Sequence, residues 1–243
     1  MRVGPKEQLG HRGDETNSTA RSDCGVRTMA KLLSRMLAAI VMAGITCIIA
    51  LLIAPADSAD VKARPGAPAP AFSARDIEGR SVSLADYHGK TVILEWINNG
   101  CPFVGKHYNS GNMQALQRRF TAAGDIWLTV ASSAPGKEGY VTADEARADI
   151  ARWRAAPSDY LLDPDGILGH LYDARATPHM VVINSAGILA YMGAIDDKPS
   201  VDTADVKTAK NFVVAALEEL AAGKPVTISA TRAYGCSVKY KTS

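Results

Sequence analysis

The chain has 243 residues, of which 47% are hydrophobic and 21% charged, a composition that suits one globular domain with appendages rather than two full domains. With 27 Lys and Arg against 25 Asp and Glu, the formal charge is +2, and no basic stripe interleaved with aromatics occurs, which excludes nucleic acid as a partner. Four cysteines, Cys24, Cys47, Cys101 and Cys236, carry the chemical interest, and their roles depend on which survive processing.

Residues 1–28 form a polar extension, read either as an over-extended gene start or as an unusually long n-region. Residues 29–59 read as a signal sequence: a basic start at Met29, an apolar run from Leu37 to Ala54, then small residues. Ala54-Pro55-Ala56 offers cleavage before Asp57, and Ala59 offers a second position. The apolar run is also close to the length of a bilayer crossing, so an uncleaved segment would leave a membrane tether. Cys47 has no leucine three residues before it, which argues against lipid attachment. Either way the domain is expected to be exported, to the periplasm or cell envelope. Cleavage would leave Cys101 and Cys236 where disulfides persist.

Residues 60–70, with Pro65, Pro68 and Pro70, read as an extended linker, and the domain is expected over 71–243. A turn at Glu78-Gly79 predicts a small hairpin after Phe72. The β-branched, apolar run Thr91–Ile97 predicts a central strand that ends in the turn cluster Asn98-Asn99-Gly100. Pro102 is favourable at a helix start, and the pattern through Met113, Leu116 and Phe120 allows one helix to continue past Gly111. Asp125–Ser132 predicts a strand, Thr142-Ala-Asp-Glu a capped helix to about Arg154, Tyr160–Leu162 a short strand, and Ile167–Tyr172 a short helix. His179–Asn184 and Ile188–Gly193 predict an antiparallel hairpin. Asp205–Ala222 predicts a final amphipathic helix stopped by Gly223 and Pro225. The order is that of an α/β domain whose early elements form parallel βαβ units.

This pattern places Cys101 at a helix N-terminus, where unpaired N–H groups and the helix dipole favour thiolate over thiol. An inert buried cysteine is the other reading. The segments Gly89-Lys-Thr-Val-Ile-Leu-Glu-Trp96, Asn98-Asn-Gly-Cys-Pro-Phe-Val-Gly-Lys-His-Tyr108, Thr177-Pro-His-Met180 and Tyr234-Gly-Cys-Ser-Val-Lys-Tyr240 resemble peroxiredoxin-like redoxins of the AhpC/TSA type, in the thioredoxin superfamily. The resemblance runs from about Gly66 to Tyr240 and implies a thioredoxin-like fold, a central mixed β-sheet flanked by helices, here with an N-terminal hairpin extension. It implies that Cys101 is the attacking cysteine, that Thr177 and Pro178 form the cis-proline loop against it, and that Glu95 is a buried acid able to move a proton.

Departures from the family pattern are equally specific. Val104 stands where a dithiol enzyme has its second cysteine, Asn98 where peroxiredoxins carry Thr or Ser, and Leu94 where they carry proline. Asn98, as a donor to a peroxide oxygen, and Arg175, as a thiolate partner, are the nominated replacements. Cys236 is either the thiol that resolves an oxidised Cys101, half of a structural disulfide, or an independent thiol. The expected function is an exported thiol-dependent oxidoreductase acting on a peroxide or a disulfide, recharged by a protein or small-molecule thiol and requiring no bound cofactor. A non-catalytic redox-sensing or metal-binding module is the alternative, with Cys101, His107 and His179 as copper or zinc ligands. Asp196-Asp197 reads as a solvated acidic pair.

Overall fold

The computed structural model describes residues 62–241; the polar extension, the signal segment and the possible tether all lie outside the described residues. Among the described residues no helix is long and apolar enough to cross a membrane.

Strand β1 (Ser73–Asp76) and β2 (Ser81–Ser83) form the expected antiparallel hairpin, with Gly79 at φ +76° in its turn. The Asp76 carboxylate fixes that turn by accepting the N–H groups of Glu78 and Arg80 at 2.9 and 2.8 Å. Next come β3 (Val92–Trp96), β4 (Ile126–Ala131), β5 (Asp159–Leu162), β7 (His179–Ile183) and β8 (Leu189–Gly193). With the hairpin they make one seven-stranded sheet in the order β2-β1-β5-β4-β3-β7-β8. β3, β4 and β5 are parallel; β7 runs antiparallel to β3, and β8 antiparallel to β7. This is the thioredoxin-like arrangement with the hairpin added beyond β5. The Pro-rich segment 62–70 lies along the β7–β8 turn, where Ala69 N–H bonds the Gly187 carbonyl at 2.9 Å.

β3 is buried along its whole length, as a central strand with both faces covered must be. Its alternation feeds two cores. Ile93 joins Trp127, Met180 and the helices α1 (Pro102–Asn109), α2 (Asn112–Ala122) and α5 (Phe212–Ala221) on one side. Val92, Leu94 and Trp96 join Leu128, Val181 and Tyr172 on the other. Helix α3 (Ala143–Trp153) begins at the Thr142 capping box, and α4 (Ile167–Leu171) follows Gly166.

Two expected helices are shorter than their patterns. Gly111 adopts φ +77° and ends the continuity of α1 and α2, a conformation that glycine takes without strain. The final helix starts only at Phe212. Asn211 caps it through the Val214 N–H at 2.9 Å, and the Phe212 N–H is given to the Ile195 carbonyl; Thr203–Lys207 is a separate 3₁₀ turn capped by Asp202. The C-terminal tail supplies a further element: β9 (Cys236–Ser237) pairs with β6 (Ala176–Thr177) in a small antiparallel ladder of its own.

Candidate active site

At the end of β3 the chain turns through Asn98-Asn99-Gly100. The Asn98 side-chain oxygen accepts the Gly100 N–H at 2.9 Å and its carbonyl accepts the Cys101 N–H at 3.0 Å, an Asx turn. Cys101 is the N-cap of α1, with extended backbone, and Pro102 takes the first helical position. The sulfur therefore sits at the positive end of the helix, in a residue that is 1% exposed.

The peptide between Thr177 and Pro178 is cis, and the Thr177 carbonyl lies 3.1 Å from the Cys101 Sγ, where it accepts the S–H of the neutral thiol. The β6–β9 ladder sets Cys236 opposite Thr177. It brings the Cys236 N–H to 3.5 Å from the Cys101 sulfur, while the Thr177 hydroxyl donates to the Cys236 carbonyl at 3.3 Å. Gly235 makes the approach possible. Its φ is +126°, and a Cβ there would collide with the Thr177 carbonyl. Both cysteines are free thiols.

Burial alone would raise the Cys101 pKa, but side-chain hydrogen bonds with Cys236 and Thr177, helped by the N–H groups of Cys236 and Val104, bring it below the ordinary thiol value. Burial, the hydrogen bond to Cys101 and its charge push Cys236 up to about 12. Of the two thiols, Cys101 is the one its surroundings make more acidic, and the pair titrates together.

The remaining nominated residues are arranged differently. Glu95 is fully buried on β3. Its carboxylate accepts from Tyr108 at 2.8 Å, from Trp127 at 2.7 Å, from Gln117 at 3.1 Å and from Thr129 at 3.5 Å, with no hydrogen bond to Cys101. Burial raises its pKa despite those donors. The Asn98 side-chain amide donates to Glu138 at 3.1 Å, so both of its ends are engaged away from the sulfur. Arg175 is 80% exposed and pairs with Asp173 at 2.9 Å.

His107 is buried against Asn112 and Asp196, and His179 stands edge-on to Trp96 with both ring nitrogens unpartnered; burial pulls each down to about 4. Among the described residues, no three His, Cys, Asp or Glu side chains gather as a metal-ligand set. Asp196 is not solvated. It is 2% exposed and ion-paired at 3.0 Å with Lys106, which is wholly buried on α1. Neither Lys106 nor Tyr234, which bonds the same carboxylate, stood out in the sequence, because a lysine on a short helix reads as a surface charge.

A search of curated proteins finds no match. Among solved structures, an uncharacterized conserved protein from Geobacillus kaustophilus is similar over 74% of this chain and 94% of its own, at 24% identity and TM-score 0.62. A hypothetical protein from Sinorhizobium meliloti 1021 is similar over 75% and 98%, at 21% identity and TM-score 0.62. At these identities the likeness concerns the fold. The profile of the AhpC/TSA family matches residues 65–192, more than half of the chain, taking in Cys101 and Thr177-Pro178 and stopping before the tail that carries Cys236. The chain therefore belongs to the AhpC/TSA family, redoxins of the thioredoxin superfamily.

Proposed function

We propose that the protein is a two-cysteine thiol oxidoreductase in which Cys101 is the nucleophile and Cys236 resolves it, working outside the cytoplasm as the signal-like segment at 29–59 suggests. The single observation that carries this reading is the β6–β9 ladder, which holds Cys236 beside the Cys101 sulfur.

With a disulfide as oxidant, the Cys101 thiolate attacks one sulfur, a mixed disulfide forms and the first thiol leaves. Cys236, giving up its proton, then attacks the Cys101 sulfur and expels the second thiol. In the return step a reducing thiol attacks the Cys236 sulfur, the more exposed of the two, and Cys101 leaves as thiolate, the lower-pKa thiol being the better leaving group. A second reductant thiol then attacks the reductant's sulfur in that mixed disulfide and frees Cys236, so two reductant thiols are oxidised for each disulfide reduced. Disulfide is favoured as the oxidant because neither Arg175 nor Asn98 directs its side chain at the sulfur.

Peroxide is the second reading, supported by the depth of Cys101, which a two-oxygen oxidant reaches more easily than a protein disulfide does. There the S–O bond forms as O–O breaks, an alcohol or water leaves, and Cys236 displaces water from the sulfenic acid.

The test is intact mass and peptide mapping of the reduced protein after one equivalent of a small disulfide or of hydrogen peroxide. A Cys101–Cys236 linked peptide with loss of two hydrogens is expected, and its oxidant identifies the substrate class. Thiols left unmodified by both would overturn the proposal. Cys101→Ser should abolish turnover. Cys236→Ser should stop at the first oxidised state of Cys101, and cycle only with added small thiol.

A further inference from the structure

We propose that Lys106 and Tyr234 are positioning residues that fix the tail over Cys101 and thereby set the dithiol–disulfide equilibrium. This rests on the pairing of Cys101 with Cys236 proposed above.

Lys106 lies on the helix that Cys101 caps, five residues further on, or about 7.5 Å along the axis. Its ammonium is wholly enclosed and satisfied by three groups from outside its helix: the Asp196 carboxylate at 3.0 Å, the Lys198 carbonyl at 2.6 Å and the Tyr234 hydroxyl at 3.5 Å. Tyr234 donates its O–H to the other Asp196 oxygen, and its ring meets Phe103 of the same helix edge-on at 5.8 Å. The Lys198 N–H closes the cluster on Asp196 at 2.9 Å. Three segments distant in sequence are thus tied at one ammonium: the Cys101 helix, the 196–198 loop and the tail.

The residue the cluster holds, Tyr234, is separated from Cys236 only by Gly235, whose backbone lies against the Thr177 carbonyl. The tail is therefore pinned on the side of Cys236 from which it arrives. A buried ion pair is a poor source of net stability, since apolar residues of similar volume often serve as well, and fixing one arrangement among several is its better-attested use. Here the arrangement fixed is the one that brings two thiols together. Holding them near each other raises their effective concentration, which favours the disulfide over two separate thiols.

The experiment equilibrates the full chain with reduced and oxidised glutathione, alkylates free thiols and reads the Cys101–Cys236 pair by peptide mapping. Two glutathione thiols and the protein disulfide exchange for the protein dithiol and glutathione disulfide, so the equilibrium constant is read directly. Tyr234→Phe, which keeps the ring against Phe103, is expected to weaken the protein disulfide about tenfold, a shift of about 30 mV toward easier reduction. Lys106→Met should do at least as much, and Lys106→Arg should recover part of the loss. Wild-type protein that forms the disulfide with the same constant as both Tyr234→Phe and Lys106→Met overturns the positioning role alone. Wild-type protein that forms no such disulfide overturns the pairing and the positioning role together. Should Lys106→Met fail to fold, Tyr234→Phe decides the matter.

Discussion

Thr177 and Cys236 face each other across a ladder of two residue pairs, and both meet the same sulfur: the Thr177 carbonyl at 3.1 Å and the Cys236 N–H at 3.5 Å from Cys101 Sγ. The carbonyl accepts a hydrogen bond from the neutral thiol and so favours that form, while the N–H favours the thiolate. The tail thus changes the chemistry of the cysteine that it covers, and a tail whose register slipped by one residue would put Ser237 or Gly235 in place of the second thiol.

Cys236→Ala should raise the pKa of Cys101. Burial of the sulfur remains, while the largest of the interactions that oppose it, the hydrogen bond with the Cys236 side chain, is lost. Thiolate absorbance followed against pH reads the midpoint directly. A midpoint that stays put or falls would show that the helix start and the Thr177 loop alone hold the thiolate.

Gly235→Ala should lift the tail without unfolding the domain. The residue adopts φ +126°, where a side chain is strained, and its Cβ would collide with the Thr177 carbonyl. Strain of about 1–3 kcal/mol falls on a segment outside the seven-stranded sheet. Alkylation of Cys101 should accelerate by roughly tenfold or more with the thermal midpoint little changed. Unaltered protection of Cys101 would mean that the tail does not limit access.

The sequence made the position of Cys101 legible and left its surroundings obscure, for physical reasons. A β-branched strand, an Asn-Asn-Gly turn and a proline at the first helical position are local signals, and together they placed Cys101 at a helix cap. The β6–β9 ladder is two residues long, too short for any periodicity, and joins segments 59 residues apart. The Lys106–Asp196 pair spans 90 residues; each member taken alone resembles an ordinary surface charge, and only the tertiary fold removes both from water. Glu95 was legible as an acid on a buried strand, but not its commitment to Tyr108, Trp127 and Gln117. Arg175, nominated for its nearness to Thr177 in sequence, turns instead to Asp173.

Glu95→Gln should change the pH dependence of stability. Burial raises the Glu95 pKa in the folded chain, so between the ordinary carboxylate value of about 4.3 and the folded value the folded state binds more proton than the unfolded one. The wild-type fold therefore loses stability as pH rises through that window, by up to about 1.4 kcal/mol per pH unit. The amide does not titrate, so denaturant unfolding at several pH values should show the variant gaining on the wild type as pH rises from about 4. A stability difference independent of pH would contradict the raised pKa.

Arg175→Ala tests whether any guanidinium assists the Cys101 thiolate from the Thr177 side. The side chain is 80% exposed and bonded to Asp173, so its removal resembles an ordinary surface change, within about 0.5 kcal/mol or roughly a factor of two in rate. The rate of Cys101 oxidation by hydrogen peroxide, followed by mass, should therefore match the wild type within that factor. A loss of tenfold or more would mean that Arg175 leaves Asp173 and reaches the sulfur during reaction. Peroxide would then displace disulfide as the oxidant that the site supports better.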